Sequence, residues 1–97
     1  MTPSERYLLR LYVTGLTSRS TRAIKIVRDV CEQHLAKRYD LEVIDVYQMP
    51  ERIREDNVVA IPTLVKIKPG PVRRIVGDMS NRERLLAGLG LPYDDQR

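Results

Sequence analysis

Apolar and polar positions follow two rhythms along this chain, and the changes between them mark its elements. Tyr7-Leu8-Leu9-Arg10-Leu11-Tyr12-Val13 is an almost continuous apolar run, which predicts a central strand covered on both faces. Arg10 interrupts the run and is expected to reach solvent at one end. Thr14-Gly15-Leu16-Thr17-Ser18 then brings small hydroxyl residues and a glycine, and Ser18 or Ser20 is placed to cap a helix by accepting its free backbone N–H groups. From Thr21 onward Ile24, Val27, Val30, Cys31, His34 and Leu35 share one helical stripe, while Arg22, Lys25, Asp29 and Glu32 share the opposite one. Leu41-Glu42-Val43-Ile44-Asp45-Val46-Tyr47 returns as a strand, and a crossover through a helix makes it parallel to the first. The first half therefore reads as a βαβ unit.

The second half is less uniform. Glu51 to Asp56 suits a short charged helix, yet Val58-Val59-Ala60-Ile61 is β-branched and would suit a strand; the reading taken is a short helix and then a turn. Thr63 to Lys68 alternates Val65 and Ile67 with Lys66 and Lys68, Pro69-Gly70-Pro71 breaks the pattern, and Val72-Arg73-Arg74-Ile75-Val76 forms the partner strand of a β-hairpin. Ser80 with Glu83 has the spacing of a capping box, followed by an apolar stripe of Leu85, Leu86 and Leu89 that weakens at Gly88, Gly90 and Pro92. The tail Tyr93 to Arg97 is expected to fray. The order βαβ, short helix, ββα is the thioredoxin-like α/β topology. A length of 97 residues is expected to form one domain, 1–97, with a single core.

Charge changes this picture little. There are 17 Lys and Arg against 13 Asp and Glu, a net +4, and the signs are interleaved as on a solvated surface. No basic stripe with interleaved aromatics occurs and there is no Trp or Phe to stack on bases, so protein partners stand ahead of nucleic acid. With Glu5, Arg6 and Arg10 among few apolar residues, the N-terminus is expected to carry neither a signal peptide nor a membrane span, and the chain is expected in the cytoplasm. Its single cysteine cannot form an internal disulfide and fits a reducing compartment.

Candidate chemistry is sparse. Thioredoxin-type catalysis needs a low-pKa cysteine where the first strand turns into the first helix, and no cysteine stands between Thr14 and Ser20. Cys31 falls well inside the helix on its apolar face, where a thiol behaves as a small hydrophobe. His34, the only histidine, reads as a helix-end residue and not as a zinc ligand. Asp45, Glu51, Glu55 and Asp56 read as surface charges, and no phosphate loop or nucleophile elbow appears. Only about one X-Pro bond in twenty is cis. Even so, Pro62 before a Thr and a hairpin, where thioredoxin-like folds turn toward the redox site, is the candidate cis-proline.

Four segments carry a more specific likeness: Leu11-Tyr12-Val13-Thr14-Gly15, Val43-Ile44-Asp45-Val46, Ile61-Pro62-Thr63-Leu64-Val65-Lys66 and, above all, Pro71-Val72-Arg73-Arg74-Ile75-Val76-Gly77-Asp78-Met79-Ser80-Asn81-Arg82-Glu83. Over about Tyr7 to Tyr93 the chain resembles the KaiB family of circadian clock proteins. It departs from the family pattern at Gly90, at Pro69-Gly70-Pro71 and in a short acidic tail.

The resemblance implies a non-enzymatic regulator without cofactors. Such a protein binds a KaiC-type ATPase ring and modulates its phosphorylation cycle, helps sequester KaiA and displaces a sensor histidine kinase that carries a related domain. It also implies two folds, a homotetrameric (or dimeric) ground state and a thioredoxin-like monomer, with the C-terminal half rebuilt between them. The mixed preferences of Val58 to Ile61 and the weak helix end at Gly88 and Gly90 fit such behaviour; a plain capping role for the two glycines carries equal weight. Basic positions matching the family are Arg22, Lys25, Arg73 and Arg74, the candidate partner contacts. Two other readings are a stress-response interaction protein on the same scaffold, without a clock partner, and a thioredoxin-like redox enzyme.

Overall fold

The computed structural model describes residues 6–15 and 17–91; Leu16, Pro92 and the expected frayed tail Tyr93 to Arg97 lie outside them. Seven elements follow one another as β1 (Tyr7–Val13), α1 (Ser18–Leu35), β2 (Tyr39–Asp45), α2 (Arg52–Glu55), β3 (Thr63–Lys68), β4 (Arg73–Val76) and α3 (Arg82–Leu89). They build one sheet of order β2-β1-β3-β4. β1 runs parallel to β2, as a helical crossover requires, and antiparallel to β3, while β3 and β4 form the hairpin.

β1 explains the apolar run. Its odd positions, Tyr7, Leu9, Leu11 and Val13, are buried with Val27, Val30, Cys31 and Leu35 of α1 and with Leu85, Leu86 and Leu89 of α3. Tyr12 points the other way, into a second cluster with Ile44, Val46, Val58 and Val65, against which Ile53 of α2 packs. Two helices therefore cover one face and α2 covers part of the other.

Several expectations are corrected. Neither Ser18 nor Ser20 caps α1: Thr17 does, in extended backbone, its side chain accepting the Ser20 N–H at 3.1 Å. Ser20 is buried and its hydroxyl accepts the Thr14 N–H at 3.1 Å, tying the strand end to the helix start. The capping box at Ser80 and Glu83 is replaced by Asn81, which accepts the Arg84 N–H at 3.1 Å, because the Ser80 N–H is engaged by Asp78 at 2.9 Å. β2 starts earlier and stops at Asp45, whose carboxylate accepts the N–H groups of Gly15 at 3.1 Å and Tyr47 at 2.9 Å and so turns the chain. Val58 to Ile61 forms no strand, in keeping with the turn reading.

Arg10 and Asp56 depart furthest from expectation. Arg10 lies in the middle of β1, opposite Glu42 and Val65, and its side chain is a quarter exposed over a buried carboxylate. Asp56 is not a surface charge but 6% exposed beneath it.

Candidate functional site

The N-terminus of α1, Pro62 and the Asp78-Met79 turn enclose a cleft of about 430 Å³. Ser18, Arg19, Arg22, Ala23 and Ile26 line its helix side. The Ile61–Pro62 peptide is cis. The Pro62 carbonyl accepts the N–H of Gly77 at 2.9 Å, and Gly77 sits at φ +94, a conformation that favours glycine. Asp78 is held below the usual carboxylate range, first by the Ser80 backbone N–H, then by the Ser80 hydroxyl, with Arg22 and Arg19 adding to the effect.

Where a redox domain of this shape would carry its attacking thiol, the hydroxyls of Thr17 and Ser20 are 3.0 Å apart and spent on backbone capping. Cys31 is fully buried, and burial pushes its thiol up to about 12, far from a reactive thiolate. Among the described residues no group of three or more His, Cys, Asp or Glu side chains could hold a metal ion, and no helix is long and apolar enough to cross a membrane. What the cleft offers is shape and charge, an arginine-rimmed hollow beside one carboxylate.

The sequence-predicted residues fall in different places. Arg22 and Pro62 meet in the cleft. Lys25 is exposed on α1 and pairs with Asp29 one turn on, at 3.2 Å. Arg73 and Arg74, adjacent in β4, point to opposite faces of the sheet, since Arg73 lies opposite Lys66 and Arg74 opposite Val65. Arg73 lines a second groove, of about 320 Å³, with Lys66, Gly88 and Gly90; Lys66 there donates to the carbonyls of Pro69 and Pro71. Gly90 is the left-handed end of α3, at φ +75. Gly88 abuts Ile75 so closely that a Cβ would meet its side chain at 2.4 Å. The two glycines thus have different jobs, a cap and a close approach.

Sequence reasoning missed the polar cluster on the α2 face. Asp56 accepts Arg10 Nη1 at 3.1 Å on both oxygens and the Tyr12 hydroxyl at 2.5 Å. Burial, then the bond to Asp56, raises Tyr12 beyond the ordinary tyrosine range, and the same carboxylate raises Arg10. Arg52 bridges Glu42 at 3.0 Å and Glu55 at 2.9 Å around it. Arg74 donates through Nε to the Asp56 carbonyl at 2.6 Å. The available signal was Arg10 itself, because a charge in the middle of a buried strand requires a buried partner.

Fold and cleft together define a class: a thioredoxin-like domain whose redox position holds helix-capping hydroxyls. The chain belongs to the KaiB family, whose KaiB domain model matches residues 10–91. It is 52% identical over 95 residues to the circadian clock oscillator protein KaiB of Prochlorococcus marinus, covering 98% of this chain and 80% of the relative. To the protein of that name from Parasynechococcus marenigrum it is 50% identical over 95 residues, covering 98% and 91%. Among solved structures, the N-terminal domain of Synechococcus elongatus SasA superposes with TM-score 0.74 at 22% identity, covering 100% of this chain and 94% of that one. Mitochondrial thioredoxin 3 of Saccharomyces cerevisiae does so at 0.70 and 20%, covering 89% and 78%. These structural likenesses bear on the fold alone.

Proposed function

We propose that this protein is a non-enzymatic regulator of a circadian clock that acts in the cytoplasm by binding a KaiC-type ATPase ring and modulating its phosphorylation cycle. The observation that carries this reading is the match to circadian clock oscillator proteins at 52% identity over almost the whole chain. It is supported by a redox position filled with capping hydroxyls and by a cysteine locked in the core, both of which weigh against thiol catalysis. KaiA and a sensor histidine kinase of related fold are the further partners, the second as a competitor for the ring.

Partner contacts fall to Arg22 and Lys25 on α1 and to Arg73 and Arg74 on β4, all exposed. Their separation over the cleft, the outer face of α1 and both faces of β4 fits a partner that wraps an edge of the domain. The C-terminal half also has a second packing, in a homo-oligomer. Its support is the β-branched segment Val58 to Ile61, which forms no strand here, together with Gly88 and Gly90, which shape α3.

Charge reversal tests the contacts. Arg22→Glu and Arg74→Glu are expected to reduce co-migration with a KaiC-type ring while leaving the circular dichroism of the free protein intact; unchanged co-migration of both variants removes these residues from the interface.

A further inference from the structure

Arg10, a quarter exposed, pairs with the buried carboxylate of Asp56, and well-packed apolar side chains often hold such a place as firmly as a charge pair does. The connections of the pair point to a role beyond stability. Asp56 ends α2, and its side chain is clamped from β1 by Arg10 and by the fully buried Tyr12. Its backbone carbonyl is the group that receives Arg74 Nε at 2.6 Å. The other acids on this face are engaged elsewhere, Glu42 and Glu55 by Arg52 at 3.0 and 2.9 Å. Among the described residues Arg74 makes no ion pair, although it is exposed.

An arginine held inward by Nε–H presents its Nη1/Nη2 edge outward, and that edge can grip a carboxylate with two parallel hydrogen bonds. We infer that Asp56, locked by Arg10 and Tyr12, is the positioning residue that aims the Arg74 fork at a carboxylate of a partner protein. The inference rests on Arg74 being a partner contact, as proposed above, and adds how that contact is preset. A free arginine would give up side-chain rotamers on binding. One anchored by its Nε has already done so.

Two readouts test this. The first needs no partner: proton exchange at Arg74 Nε–H, followed by nuclear magnetic resonance at neutral pH. It is expected to be slow in the parent protein and at least about tenfold faster in Tyr12→Phe and Asp56→Asn, with the amides of β1 and β3 still protected. Equal exchange in parent and Tyr12→Phe overturns the positioning role. The second is affinity for a KaiC-type ring. Arg74→Ala and Asp56→Asn are each expected to weaken it by about tenfold, with Asp56→Asn adding less than about twofold in the Arg74→Ala background. An Asp56→Asn effect of the same size in both backgrounds shows a merely structural role and overturns the inference. If no ring is bound by any form, the functional reading fails and the exchange measurement alone decides the anchoring.

Discussion

Replacing Gly88 by alanine is expected to destabilise the protein, although alanine is the better helix former. The gain from propensity is about 1 kcal/mol. Against it, an ideal Cβ at Gly88 falls 2.4 Å from both Cγ1 and Cδ1 of Ile75, where carbon atoms ordinarily rest about 3.5–4.0 Å apart. Ile75 is 5% exposed and α3 packs on β4. Cδ1 can swing aside, but Cγ1 can move only by changing the first side-chain torsion or by lifting α3 from the sheet. Overpacking of this kind costs about 1–3 kcal/mol. The net loss is about 1 kcal/mol, which in a chain of this size lowers the melting temperature by about 4–8 °C.

Urea and thermal melts of Gly88→Ala, Ile75→Val and the double variant measure it. Ile75→Val alone removes Cδ1 and costs about 0.5–1.5 kcal/mol. In its background Gly88→Ala should cost less than in the parent, because one of the two clashing atoms is gone. The reasoning is refuted if Gly88→Ala raises the melting temperature, as at an unobstructed helix position, or if its cost is the same in both backgrounds. A packing that takes α3 off β4 escapes the clash, so Gly88→Ala also favours any such state.

Two other expectations concern titration. Cys31, buried and with its thiol pushed up to about 12, should resist an aromatic disulfide reagent at pH 8 in the native protein and react once per chain after denaturation; fast native labelling would contradict its placement. Asp40 is held below its ordinary value by the hydrogen bond from Arg6, Glu42 by that from Arg52 and Asp78 by the Ser80 N–H. A depressed carboxylate lends stability that is complete above its unfolded value, here 3.8 for the Asp and 4.5 for the Glu, and is lost as pH falls through the folded one. The unfolding free energy from urea titrations should therefore hold between neutrality and about pH 5 and decline below about pH 4.5. A rise in stability on acidification through that range would contradict the assignment.

The elements legible in the sequence were those whose signal is local. β1 was marked by an apolar run that both faces of the sheet consume, α1 by its stripe, and the hairpin by Val65 and Ile67 followed by Pro69-Gly70-Pro71. What stayed hidden depends on residues far apart. Arg10 and Asp56 stand 46 positions from each other; the charge inside the apolar run calls for a partner, but nothing near it says which. Helix starts slipped by a residue or more because Thr17, Ser18 and Ser20, or Ser80 and Asn81, are equally able to cap. Only the backbone decides which of them is extended at the first turn. The opposite facing of Arg73 and Arg74 follows from the two-residue period of a strand and was open to sequence reasoning.

Binding of a KaiC-type ring, proposed above as the role of this scaffold, is open to a single experiment. Size-exclusion chromatography with light scattering, run on the protein alone and with a KaiC-type ATPase under ATP and under ADP, tests it most directly. A complex heavier than the ring is expected in at least one nucleotide condition, forming slowly if the chain must repack. A ring that elutes at its own mass under both nucleotides, with this protein separate, contradicts it.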